Sequence, residues 1–142
     1  MIGIIFSIVA GAAMSFQGVF NTRLGEKIGL YESNVFVQGT AFLFSLLALL
    51  FLGQGNLKAL SEVNKLYWTG GLLGIIITVT VMQGIGRLSP TLAISVILIS
   101  QLLVAAVIDA LGLFETQQAA FGLTKYLGLA LMIAGVLVFK AK

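Results

Sequence analysis

Long apolar runs alternate with short polar breaks along the chain, and the runs are long on the scale of a bilayer. Five stretches of about 20 mostly apolar residues follow one another. They are Ile2–Thr22, Ser33–Gly53, Tyr67–Gly86, Pro90–Leu111 and Ala119–Phe139. Hydrocarbon offers no water to backbone polar groups, so each stretch predicts a helix. The strict alternation of a barrel strand is missing. Four breaks separate the runs: "RLGEKIGLYE", "QGNLKALSEVNKL", "RLSP" and "GLFETQQ". The second carries Leu57, Leu60 and Tyr67 at near-helical spacing, which predicts a short helix lying in the interface. In the third, Ser89 is a good N-cap and Pro90 suits a first helical position. The first run lacks a basic leader and is too long for the core of a cleaved signal, so it reads as a retained helix. With no boundary, low-complexity tract or internal repeat in view, residues 1–142 read as one membrane domain.

Composition agrees with this pattern. Of the 142 residues, 59% are hydrophobic and 9% charged, and the mean hydropathy is +1.11. A soluble domain has about a quarter of its residues charged. The fold class is therefore an all-α integral membrane protein. Neither Cys nor His is present, which excludes disulfide frameworks, thiol nucleophiles, Cys/His metal sites and imidazole chemistry. No cofactor is expected. The net charge of +3 is spread over helix ends and leaves no nucleic-acid footprint. Arg23, Lys27, Arg87, Lys140 and Lys142 gather on one side of the predicted spans. Lys58 and Lys65 lie on the other, with Lys125 just inside the last helix. That bias predicts an outer N-terminus and a cytoplasmic C-terminus in the plasma membrane. It is weak enough to leave a dual-orientation population open.

Within so apolar a chain the polar positions carry the chemistry. Gly3, Ser7, Gly11 and Ser15 recur every four residues on the first helix. Gly70, Gly71 and Gly74 on the third and Gly128 and Gly135 on the fifth offer similar faces, which suit close helix packing. Gln17 and Asn21 stand one turn apart, and two amides on a membrane helix need partners or water. They either bond across helices or line a polar cavity. Gln38 and Gln83, near helix ends, fit mundane interfacial roles. Tyr67, Trp68 and Tyr126 fit the aromatic belt.

The fourth helix is the most informative. Gln101 lies halfway along it, and Asp109 lies about 28 Å from Pro90 at 1.5 Å per residue. The two share one broad side, about 80° apart. An acid in a membrane helix costs least near its end. Three readings stay open: a clamp to Lys125 on the fifth helix, a coupling or gating role, and contact with headgroup water. No nucleophile–base pair, metal cluster or phosphate loop can be assembled, so no enzyme is expected.

The run "GGLLGIIITVTVMQGIGRLSPTLAISVILISQLLVAAVIDALGLF" and the segment "QGVFNTRLG", with Gln17, Asn21 and Leu24, resemble the YdcZ-like branch of the drug/metabolite transporter superfamily. "GLALMIAGVLVF" is similar to the closing helix of that superfamily's repeat. The resemblance covers nearly the whole chain. It implies a five-helix unit equivalent to one half of a ten-helix transporter whose halves face each other in opposite orientations. The branch often has a His after the acid; here it is Ala110, which removes any relay through that imidazole. The four-helix multidrug cousins use a Glu in the first helix. Gln17 and Asn21 in its place favour a neutral or zwitterionic solute over a bare cation.

Five helices leave little room for alternating access, whereas two inverted copies supply a midplane site. The expectation is a secondary-transporter protomer for a small polar or amphipathic metabolite or drug. It would work as an antiparallel homodimer, or with a sister protomer, in contact with membrane lipids. Gln17, Asn21 and Gln101 would bind solute, and Asp109 would couple protons or close a gate. The alternative is a non-transporting subunit that docks a partner membrane protein. A lipid-modifying or flipping activity is a more distant third.

Overall fold

The computed structural model describes residues 1–119 and 122–141. Lys142, counted above with the inner charges, and residues 120 and 121, placed above at the start of the fifth helix, lie outside the described residues. Five α-helices form, each long and apolar enough to cross a membrane. They are α1 (Ile2–Ile28), α2 (Leu30–Leu52), α3 (Gly70–Arg87), α4 (Pro90–Leu111) and α5 (Leu123–Lys140). Contacts within the chain group them into two compact units, Met1–Arg87 and Leu88–Lys142.

In the first unit, α1 and α2 are longer than the apolar runs. The polar segment after Thr22 continues the helix. Arg23 and Glu26 pair across one turn at 2.9 Å, and Lys27 sits in the last turn, where the helix dipole favours a cation. α1 stops at Gly29, whose φ of 106° is open to glycine and strained for other residues. The next residue, Leu30, already begins α2, with Glu32 in its first turn, where an acid is favoured. A single residue thus joins two antiparallel helices, where the sequence suggests a longer break. The helix has no reason to end at the last apolar residue, because backbone bonds continue wherever local charges support them.

Between α2 and α3 the chain makes two 3₁₀ segments, Leu57–Glu62 and Lys65–Thr69, in place of the expected short helix. Asn56 and Asn64 cap them by accepting from the backbone N–H of Lys58 and Leu66. Tyr67 and Trp68 belong to the second, so α3 begins at Gly70.

α1 packs on α2 and α3, and α2 on α3. The tightest approaches are at glycines. A Cβ on Gly18 would stand 2.8 Å from Ile85 Cδ1 and 3.1 Å from Val81 Cγ1, and one on Gly25 would meet Met82 Cε. The packing expected at Gly11 and Gly70 is not made among the described residues, where an added Cβ meets nothing within 4 Å. Gly74 has only an ordinary contact with Gln38. Within this unit α1 meets its neighbours most closely near its Gly29 end.

The second unit is the antiparallel pair α4 and α5. Ser89 caps α4, its Oγ accepting from the N–H of Leu92 at 3.3 Å, and Pro90 opens the helix. Gly112, in the left-handed region, closes it. The return segment then covers the last carbonyls of α4. The Gln118 amide donates to Ala110 O and the Ala119 N–H to Asp109 O, both at 2.9 Å. Gly128, another expected packing position, again meets nothing within 4 Å among the described residues.

Candidate functional site

Two grooves and one buried polar cluster stand out among the described residues, and Gln17 and Gln101 belong to none of them.

In the second unit, four residues of α4 face four of α5 across a groove of about 320 Å³. Leu102, Ala105, Ala106 and Asp109 come from α4; Lys125, Gly128, Leu129 and Met132 come from α5. Both sets follow the one-face spacing of three and four residues. Because the helices are antiparallel, Asp109 and Lys125 share one end, and Leu102 and Met132 share the other. The small residues between them keep the groove open. It is an apolar slot with both charges at one end, about 10 Å long at 1.5 Å per residue. Asp109 and Lys125 share the groove, as the sequence placed them. Gln101 lies outside the lining set. It is exposed at the midpoint of α4, and its amide makes no hydrogen bond among the described residues.

The first unit buries polar groups at the end where α1 turns into α2. Asn21 and Thr22 on α1 and Ser33 and Asn34 on α2 are buried, against only Met82 and Ile85 among the large apolar side chains. Small residues permit this: Gly18, Gly25 and Ser33 let three helices meet with little volume between them. Thr22 returns its hydroxyl to Gly18 O at 2.7 Å. Ser33, fully buried, donates toward Asn21 O at 3.4 Å and stands 3.7 Å from the Met82 sulfur. One turn along, Gln38 Nε2 donates to Thr78 Oγ1 at 3.4 Å and ties α2 to α3. Of the two amides expected as a pair on α1, Asn21 is buried and Gln17 is exposed. Ser15 spends its hydroxyl on Gly11 O at 2.9 Å.

A second groove, of about 250 Å³, opens beside this cluster between the ends of α1 and α3. Thr22, Glu26, Met82, Gln83 and Arg87 line it, so Gln83 faces a polar recess. Thr22 and Met82 belong to both groove and cluster.

Sequence reading missed Ser33 and Asn34 as buried polar residues. A predicted helix start at Ser33 put both at the water boundary, where polarity needs no explanation. Adjacent Ser and Asn beside a glycine-rich turn were the available signal.

Comparison with known proteins gives one match. The family model described as "Putative inner membrane exporter, YdcZ" matches residues 2–138. No curated protein and no solved structure matches the chain.

Proposed function

This chain belongs to the YdcZ family of inner membrane exporters, a branch of the drug/metabolite transporter type, and from that membership we propose that it is the protomer of a secondary transporter. In this reading two copies, inverted relative to each other, move a small polar or amphipathic solute by alternating access. The sister-protomer version differs only in the identity of the second chain.

One observation carries the inverted dimer. Gln101 is an exposed amide at the midpoint of a membrane span. Transfer of an amide from water to hydrocarbon costs about 4–8 kcal/mol when nothing compensates it. A second copy related by a two-fold axis in the membrane plane keeps any midplane residue at midplane depth. Each Gln101 then faces a shared, hydrated seam instead of lipid. Gln17, also exposed, sits about 9 Å along α1 from Arg23, well inside the apolar stretch, and needs the same shelter. Gln17, Asn21 and Gln101 are the solute-contacting groups of this reading. Asp109 is its coupling or gating group; in the sister-protomer version this chain has its N-terminus outside.

The test has two parts. Proteoliposomes of the purified chain are loaded with a pool of radiolabelled neutral and zwitterionic metabolites and followed for efflux under an imposed pH gradient. Efflux above that from empty liposomes is expected. In cells, a single cysteine at Lys27 is labelled with an impermeant maleimide. An inverted homodimer places that cysteine on both faces of the membrane in equal amounts. No efflux together with a co-purifying membrane protein supports the docking-subunit alternative, and labelling from one face alone removes the homodimer.

A further inference from the structure

Asn34 has no role in the interactions described so far, yet it is more than nine-tenths buried. Its Oδ1 is the one buried side-chain oxygen or nitrogen among the described residues without a hydrogen-bond partner. The two neighbouring hydroxyls are engaged: Thr22 with Gly18 O, and Ser33 with Asn21 O and the Met82 sulfur. Native structures rarely leave such an acceptor orphaned, and the exceptions call for an explanation.

The cluster that holds Asn34 adjoins a groove through Ser33 and Met82. Thr22 and Met82 line the polar groove at the α1–α3 end and also border the buried cluster. Met82 reaches Ser33 from that groove, and Gly25 leaves room for its terminal methyl. A methionine has three rotatable side-chain bonds and repacks readily, so it is a movable barrier. No ionisable side chain is buried in the cluster. Glu26 and Arg87 line the groove outside, whereas the acceptor itself sits among uncharged groups and suits an uncharged donor, the hydroxyl of a small polar solute.

We propose that Asn34 is a solute-binding residue at the mouth of the transport path, its Oδ1 held without a partner to accept a hydrogen bond from a solute hydroxyl that enters past Met82. This deepens the transporter reading and rests on it.

The cysteine-free chain makes the test direct. Full-length Ser33→Cys and Asn34→Cys proteins, and Ile85→Cys as an equally buried apolar control, are reconstituted. They are exposed on both membrane faces to the small charged reagent 2-sulfonatoethyl methanethiosulfonate, and modification is read by intact mass. Cysteines at 33 and 34 are expected to react at least tenfold faster than one at 85. The near-isosteric Ser33→Cys reports the same path if the protein with cysteine at 34 does not fold. Glycerol is then added as an uncharged hydroxyl probe. It should slow labelling at position 33 at least twofold more when Asn34 is present than in Ser33→Cys/Asn34→Leu, with viscosity common to both. Reactivity at 33 and 34 no greater than at 85 overturns the path. Equal slowing by glycerol in the two backgrounds overturns the acceptor role. Either failure in protein that still releases solute from proteoliposomes sinks this proposal alone; absence of efflux sinks the transporter reading whatever the labelling shows.

Discussion

Substituting Gly18 with alanine tests the packing of the first unit at its closest point. The new methyl would stand 2.8 Å from Ile85 Cδ1 and 3.1 Å from Val81 Cγ1, where comfortable carbon contacts are about 3.5–4.0 Å. Ile85 can turn its terminal methyl aside at a rotamer cost of about 0.5–1.5 kcal/mol. Val81 is branched at Cβ and stiff in a helix, so it gives way less easily. Overpacking of this kind costs about 1–3 kcal/mol. Against it stands the helix-propensity gain from glycine to alanine, about 1 kcal/mol. The net expectation is a destabilisation of about 1 kcal/mol. Ile85→Val removes the Cδ1 atom in question and alone costs about 0.5–1.5 kcal/mol. In the double variant the new methyl occupies the vacated space, so the two losses should fall short of their sum by about 1 kcal/mol. Reversible unfolding of the purified protein in mixed detergent–SDS micelles measures all four corners of the cycle. Additivity within about 0.3–0.5 kcal/mol would refute the claim that α1 and α3 meet at these atoms. Gly11→Ala is the control: nothing lies within 4 Å of the added methyl among the described residues, so protomer stability should hold or rise.

Three further outcomes follow from other contacts. Ser89→Ala removes the cap of α4 and should cost about 1 kcal/mol in the same unfolding assay, with Ser89→Asp largely restoring it. A double-mutant cycle on Gln38→Leu and Thr78→Val should return a coupling of about 0.6 kcal/mol, the usual size for a hydrogen bond between membrane helices; zero coupling would show that the bond adds nothing. Asp109→Asn keeps the shape of the α4–α5 groove and removes its acid. If Asp109 couples protons, efflux from proteoliposomes loses its pH dependence while the folded yield is unchanged. Equal loss of folded protein in Asp109→Asn and Lys125→Ala indicates a structural clamp instead.

The sequence by itself determined the solvent and the succession of helical spans. Apolar runs near 20 residues have one stable form in hydrocarbon, because only a helix satisfies its own backbone there. Local chemistry was equally legible where it stayed local. Ser89 and Pro90 begin α4 as expected, since a cap depends on residues within one turn. Depth along the helices also put Asp109 and Lys125 near the same end of consecutive spans, and both line one groove. The ends of α1 and α2 were less legible. Hydropathy marks where a helix leaves lipid and says nothing about whether it continues into water, as α1 does through its Arg23–Glu26 pair.

Only the tertiary structure decided which small and polar residues matter inside the protomer. Every glycine stripe reads alike along one helix, but a close approach needs a second helix at that height. At Gly18 and Gly25 an added Cβ would meet a neighbouring helix, whereas at Gly11, Gly70 and Gly128 it meets nothing within 4 Å among the described residues. In the same way Gln17 and Asn21 look equivalent in sequence, one turn apart, yet one is exposed and the other buried. Asn34 was hidden by its position near a helix start and became conspicuous only in the folded unit, where it is buried with its oxygen without a partner among the described residues. Periodicity fixes a residue's direction from its own axis. What it meets there depends on where the other axes lie, and that is set by contacts distant in the chain.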